Sequence, residues 1–132
     1  MILVDTSVVL DVLSDDSQWR HWSKAQMIRA SGQDGLAIDG VVYAELSIGY
    51  DALADLEVML AEWNLSFRPI TRPALFRAGK AYKRYRKQRG TKTGVLPDFF
   101  IGAHALAEGW PLLNRDTGRV KTYFPSVTLI AP

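Results

Sequence analysis

Short apolar runs alternate with longer segments of helical periodicity along this chain of 132 residues. The runs at residues 2–4, 36–38, 111–113 and 127–130 each have the length of a short strand, and turn residues bound the second of them on both sides. Strands that alternate with helices form a parallel sheet with helices packed on both faces. We therefore predict an α/β fold with a parallel central sheet, in one domain that spans residues 1–132.

The segments between these runs predict helices with definable ends. Thr6 or Ser7 is expected to cap the first helix, and Asp39 or Gly40 starts a helix that continues through residues 41–48. Further helices are predicted over residues 18–31, 51–63 and 72–89, and a loop over 89–94. Residues 66–70 form a weaker strand candidate because Pro69 cannot donate to a sheet.

Four acidic residues lie at related places in this pattern. Asp5 directly follows the first predicted strand, and Asp116 lies three residues past Leu113. Glu45 lies on a predicted helix, and Asp98 follows a proline that fits the first turn of another. Functional residues of open parallel sheets lie beyond the carboxyl ends of the strands, so we expect the four carboxylates to converge on one pocket. Converging negative charges repel, which implies a bound divalent cation.

The composition restricts the remaining chemistry. The chain has no cysteine, which excludes disulfide bonds, thiolate metal ligands and a cysteine nucleophile. No apolar run approaches the roughly 20 residues that a membrane-spanning helix needs, and the sequence starts in an apolar strand without the pattern of a signal peptide. We therefore expect a cytoplasmic protein that does not interact with membranes.

The charge is distributed very unevenly. Residues 1–62 carry 11 acidic and 3 basic side chains, whereas residues 68–92 carry 10 basic side chains and no acidic one. An all-basic segment is typical of a surface that contacts phosphate backbones, although a solvated helix face would have the same pattern. The candidate RNA-binding residues are Lys83, Arg84, Lys87, Lys92 and Arg115, with a salt bridge to a pocket carboxylate as the alternative for Arg115.

Four sequence motifs, in this order, resemble those of PIN-domain nucleases. They are VDTSVVLD at residues 4–11, VVYAEL at 41–46, LPDFFIGAHA at 96–105, and LLNRD at 112–116 followed by YFP at 123–125. The resemblance covers essentially the whole chain. Its short length and lack of appended segments are most similar to the VapC toxins of type II toxin–antitoxin modules.

The resemblance implies a PIN-like α/β/α sandwich and an endoribonuclease that depends on Mg²⁺, with Mn²⁺ as a substitute. It implies Asp5, Glu45, Asp98 and Asp116 as the catalytic, metal-binding acids. Such an enzyme would cleave a structured RNA, tRNA or rRNA, and inhibit translation and growth. The resemblance also implies a homodimer and a VapB-like antitoxin that forms a higher assembly with the toxin.

Several residues have supporting or structural interpretations. Thr6 or Ser7 can donate a hydrogen bond to a carboxylate or a water. Asn114 stands where relatives often carry Thr or Ser, and its amide can both donate and accept hydrogen bonds. The remaining interpretations are Asp39 as a helix cap or an extra acidic ligand, Asp11 as a surface residue or a structural hydrogen-bond partner, and His104 as a structural residue, because six positions along a helix turn it away from Asp98.

Three other functions fit parts of this pattern. A PIN nuclease could act in RNA processing or on DNA structures without being a toxin. A phosphoacceptor or HAD-like α/β domain also has an Asp at a strand end, but a HAD-like nucleophile requires Asp-x-Asp, and here Thr6-Ser7 follows Asp5. A non-catalytic RNA-binding scaffold would keep its function without the four acids.

Overall fold

The chain is an alternating succession of strands and helices in the computed structural model, which describes residues 1–88 and 96–132. Within these residues there are five strands: β1 Ile2–Val4, β2 Leu36–Ile38, β3 Leu65–Phe67, β4 Leu112–Leu113 and β5 Leu129–Ile130. There are seven helices: α1 Thr6–Leu13, α2 Arg20–Gln33, α3 Gly40–Ser47, α4 Leu53–Glu62, α5 Arg72–Lys87, α6 Leu96–Glu108 and α7 Gly118–Tyr123. The predicted loop over residues 89–94, with Lys92, lies outside the described residues.

The five strands form one sheet in the order β3-β2-β1-β4-β5, and every neighbouring pair is parallel. All residues of β1, β2 and β4 are buried, as expected when helices cover both faces of a parallel sheet. The predicted α/β/α arrangement is therefore confirmed.

The remaining differences from the sequence prediction concern the ends of elements and one short helix. Strand β3 begins one residue earlier than predicted and ends before Pro69, at the edge of the sheet. Helix α2 starts at Arg20 rather than at residue 18, and α7 was not predicted because six residues are too few to show a helical period. No helix within the two described ranges combines the length and the apolar character that crossing a membrane requires.

The strand register aligns three polar residues just beyond the carboxyl ends of β2, β1 and β4. Leu3 pairs with Ala37 of β2 and with Leu112 of β4. Continuing both registers past the strand ends brings Asp39, Asp5 and Asn114 side by side. Strand β1 is also where the chain order reverses, since β2 lies on one side of it and β4 on the other. Open α/β sheets bind their ligands beyond such a point.

Candidate active site

Asp5 begins the site at the carboxyl end of β1. Its Oδ2 accepts a hydrogen bond of 2.9 Å from the backbone N–H of Ser7, so Asp5 itself is the N-cap of α1. The prediction that Thr6 or Ser7 caps this helix was therefore wrong, because the helix starts one residue earlier. Burial raises the pKa of the Asp5 carboxyl, and the charge of Asp39 adds to this, although hydrogen bonds from Ser7 and Thr6 oppose it.

Glu45 lies on α3 and is joined to the start of α1. The Thr6 hydroxyl donates to Glu45 Oε1 at 2.8 Å. This contact confirms that a hydroxyl beside Asp5 donates to one of the four carboxylates. It ties Glu45 to the residue that follows Asp5, although the two residues are far apart in sequence.

Asp98 lies in the first turn of α6 and pairs with an arginine that the sequence analysis missed. Arg119 Nη1 donates to Asp98 Oδ2 at 2.9 Å. The pKa of Asp98 is raised mainly by burial and then by the charge of Asp5; the Arg119 guanidinium opposes the rise, and Asp116 adds to it. Asp98 therefore retains an excess of negative charge around it despite its ion pair.

The position of Arg119 depends on close packing between α6 and the end of α7. A Cβ placed on Gly102 of α6 would lie 2.5 Å from Phe124 Cδ2, so only glycine permits this approach. The contact holds the short helix α7 against α6, which brings Arg119 to Asp98. In the sequence, the position of Arg119 three residues after Asp116 is the only indication that it lies near the acids. Its charge does not show which carboxylate it pairs with.

Asn114 organises the loop that carries Asp116. Its Oδ1 accepts a 3.0 Å hydrogen bond from the Asp116 backbone N–H and a longer one, 3.4 Å, from the Ser7 hydroxyl. Asn114 is buried, whereas Asp116 is exposed. The amide therefore provides, as an acceptor, a link between this loop and the start of α1.

Asp98 lies within electrostatic reach of two of the other three acids. Asp98 interacts with both Asp5 and Asp116, while Glu45 is linked to the group through Thr6. Over residues 1–88 and 96–132, no three Asp, Glu, His or Cys side chains lie close enough to form a ready-made metal-binding group. The acids lie near the carboxyl ends of the strands, but their side chains would have to move to bind one cation together.

Asp39 lies next to Asp5 but uses both of its carboxylate oxygens inside the protein. Oδ1 accepts from the backbone N–H groups of Val41 and Val42, at 3.1 Å each, and caps α3. Oδ2 lies 3.0 Å from Nδ1 of His104 on α6. Asp39 is thus the predicted helix cap and not an available acidic ligand, and His104 is structural as predicted.

Arg115, which follows Asn114, is held by Asp11. Its Nε and Nη2 donate to the two oxygens of Asp11 at 2.9 and 3.0 Å, and its guanidinium lies over the Trp19 ring at 5.4 Å. Asp11 is buried and also accepts from the Ser23 hydroxyl at 2.7 Å, so the structural interpretation of Asp11 applies rather than the surface one. A phosphate contact by Arg115 remains a prediction that would compete with these bonds.

The basic residues of α5 lie on a helix that packs against α6. Lys83, Arg84 and Lys87 are exposed. Tyr82 and Tyr85, on the same half of α5, contact the ring of Phe99, which is the residue after Asp98. The basic half of α5 therefore runs beside the helix turn that carries Asp98.

The sequence matches the PIN domain family over residues 2–125, so the chain belongs to that family. PIN domains are generally nucleases that use divalent metal ions. A comparison with curated proteins gave no match.

Similar solved structures come from several bacteria. VapBC2 from Rickettsia felis, bound to a DNA fragment from its promoter, is 19% identical with a TM-score of 0.75 and covers 100% of this chain and 99% of the other. DNA-bound VapBC from Salmonella typhimurium is 15% identical with a TM-score of 0.72, covering 98% and 96%. FitAcB from Neisseria gonorrhoeae is 21% identical with a TM-score of 0.68, also covering 98% and 96%. At these identities the similarity is one of fold.

Proposed function

We propose that this protein is a VapC-like toxin, a metal-dependent endoribonuclease that cleaves structured RNA and thereby inhibits translation and growth. The observation that supports the proposal is the placement of Asp98 within electrostatic reach of both Asp5 and Asp116, beyond the carboxyl ends of the strands, in a chain of the PIN domain family. Carboxylates that repel one another in a folded protein destabilise it, and groups of this kind occur mainly where chemistry requires them.

The four acids suit a hard divalent cation. Mg²⁺ and Mn²⁺ prefer oxygen donors, and a cation would offset the charges of Asp5 and Asp116, which add to the effect of burial in raising the pKa of Asp98. Asp5, Asp98 and Asp116 would hold it. A bound cation would stabilise charge on the phosphate and make water a better nucleophile.

Glu45 is suited to accept the proton of the attacking water. The Thr6 hydroxyl fixes one of its oxygens, and within the described ranges no hydrogen bond engages the other. A carboxylate held in this way presents its second oxygen in a defined place, which general-base catalysis requires. Asn114 and Ser7 would keep the Asp116 loop beside this group.

Removing the charge of single acids tests this assignment. Asp5→Asn and Asp98→Asn should each lose RNA cleavage in the presence of Mg²⁺ or Mn²⁺, and should no longer arrest growth when expressed. Chelation of the cation should abolish cleavage by the unmodified protein. Cleavage at the original rate by both variants would exclude the four-acid site.

The exposed basic residues of α5 would guide the RNA backbone toward Asp98. Replacing Lys83, Arg84 and Lys87 by Gln should reduce the slope of log affinity against log salt by about 2, since each phosphate contact contributes roughly 0.7 for single strands. The matched control replaces Arg72, Arg77 and Lys80 by Gln, which removes the same number of charges nearer the start of the same helix. An equal effect of both sets would mean that α5 acts only through its total charge.

An antitoxin is the protein partner that we propose. The structures of Rickettsia felis and Salmonella typhimurium were solved as VapBC. Here the neighbouring helices α3 and α4 expose Ile48, Leu53 and Val58, at 88%, 71% and 55%, and such apolar side chains are typical of a protein interface. We propose a homodimer that forms a higher assembly with a VapB-like antitoxin. Relief of growth arrest on co-expression of a small protein encoded beside this chain would separate a toxin from a PIN nuclease of RNA processing.

A further inference from the structure

The most deeply buried polar contact near the site joins two helices that carry acids. Asp39 and His104 both have side chains with 0% exposure, and Asp39 Oδ2 lies 3.0 Å from His104 Nδ1. A pair of this kind costs desolvation, and apolar residues of similar volume are often at least as stable in its place. Stability alone is therefore a poor explanation for it.

The second oxygen of Asp39 shows what the pair connects. Oδ1 accepts from the backbone N–H groups of Val41 and Val42 and so holds the first turn of α3. One carboxylate thereby fixes the start of α3 to the middle of α6. Glu45 lies on α3, one and a half turns further on, and Asp98 lies on α6.

His104 is also incompletely satisfied, which argues against a purely stabilising role. Its Nε2 is buried and has no hydrogen-bond partner within the described part of the chain, and its ring lies 5.5 Å from that of Trp110. A buried polar atom without a partner lowers stability. His104 therefore lowers the free energy of unfolding relative to an apolar side chain. Of its two ring nitrogens, only Nδ1 makes a hydrogen bond within the described residues.

We propose that Asp39 and His104 are positioning residues, which fix α3 against α6 and thereby set the separation between Glu45 and Asp98. This inference rests on the proposed function for its catalytic consequence but not for its structural one. The pair contacts neither a reacting group nor a cation and acts through the two helices. Partners that orient metal-binding residues from outside typically change metal affinity or activity by about 10–100-fold when they are replaced.

The central test is the double variant Asp39→Ser with His104→Leu. Serine retains the N-cap of α3, and leucine fills the space of the imidazole without an unpaired atom, so the chain should fold with a similar Tm. The chain contains no cysteine, so Ala44→Cys on α3 and Ala107→Cys on α6, both exposed positions, can carry spin labels. We expect the distance distribution between the labels to broaden in the double variant and the Kd for Mn²⁺ to rise about tenfold.

Two further variants make the result specific. Asp39→Asn keeps the cap through Oδ1, and its Nδ2 can donate to His104 Nδ1 in the Nε2–H tautomer. It removes only the charge, so it should retain the narrow distribution and an Mn²⁺ affinity close to the original. Thr71→Ala removes the N-cap of α5, a helix without any of the four acids, and should lower Tm without changing either readout.

A narrow distribution in the double variant would overturn the positioning role. An Mn²⁺ affinity that falls as far in Asp39→Asn as in the double variant would overturn it too, because charge rather than position would then be responsible. If the unmodified protein binds no Mn²⁺, the proposed function fails, and the label distances still decide whether the pair positions α3 against α6.

Discussion

Two Asp–Arg pairs in this protein, Asp11 with Arg115 and Asp98 with Arg119, have opposite surroundings. Asp11 is 3% exposed, and both of its oxygens are used by Arg115 and Ser23. Asp98 is 42% exposed, and a single Arg119 nitrogen contacts one of its oxygens. Both oxygens of Asp11 therefore have partners inside the fold. Within the described residues, only one oxygen of Asp98 accepts a hydrogen bond, and the other could contact a ligand.

The charges that surround Asp98 also set it apart. The charges of Asp5 and Asp116 add to burial in raising the pKa of Asp98, and its arginine compensates only in part. An ion pair by itself therefore does not distinguish a structural carboxylate from one proposed to be functional. The number of oxygens in use and the sign of the neighbouring charges do.

The largest expected effect is the loss of RNA cleavage when Asp98, the acid of the second pair, is replaced. Asp98→Asn should lower the kcat for RNA by about 1,000-fold, since several kcal/mol of charge stabilisation depend on this carboxylate. The folded fraction should fall little, because the ion pair is partly exposed and such pairs contribute little to stability. Single-turnover cleavage together with thermal unfolding measures both. A large loss of stability would remove the distinction between the pairs.

Asp11→Ala should have the converse effect. Loss of the bidentate bonds to Arg115 and of the acceptor for the buried Ser23 hydroxyl should reduce the free energy of unfolding by about 2–3 kcal/mol. Urea unfolding measures this loss. Cleavage per folded molecule should fall far less than in Asp98→Asn, and an equal fall would place Arg115 in the active site.

Asp5→Asn should stabilise the cation-free protein. Because the folded-state pKa of Asp5 is raised, folding favours its protonated form, and stability is lost as pH rises from the ordinary carboxyl pKa through the raised value. Asparagine keeps the N-cap without the charge, so Tm at pH 7 should rise by a few degrees, roughly what 1 kcal/mol produces.

The difference should disappear at a pH below the ordinary carboxyl pKa, where Asp5 is protonated in both states. Thermal unfolding of the two proteins across pH, without divalent cations, tests this. A stabilisation by Asp5→Asn that is independent of pH would mean that the charge of Asp5 is not its cause.

The smallest expected effect sharpens the role of Arg119. Since its guanidinium lowers the pKa of Asp98 against the effects of burial and Asp5, Arg119→Gln should move that pKa further upward. Carboxyl NMR titration of Asp98 measures the change, and Arg115→Gln is the matched control because Arg115 pairs with Asp11 instead. An unchanged titration in Arg119→Gln would show that the ion pair has no influence in solution.

Local features of the sequence predicted much of the fold. β1 and β2 were predicted with correct bounds because a short apolar run reports burial directly. The Asp39 cap of α3 was one of two interpretations that the sequence allowed, because capping depends on neighbours two or three residues away. The N-cap of α1 was misassigned because Asp5 both follows β1 and caps α1. The sequence does not show which of the adjacent polar residues Asp5, Thr6 and Ser7 precedes the first helical residue.

The sequence by itself was enough for the parallel α/β class and for the likeness to the PIN domain family that the family match then established. It was also enough to propose the four acids as a site. Only the tertiary structure decided which charges meet. Arg119 reaches Asp98 because Gly102 lets Phe124 approach α6, and Asp39 meets His104 from 65 positions away. Periodicity encodes which face of an element is buried, whereas the pairing of side chains depends on how distant elements pack.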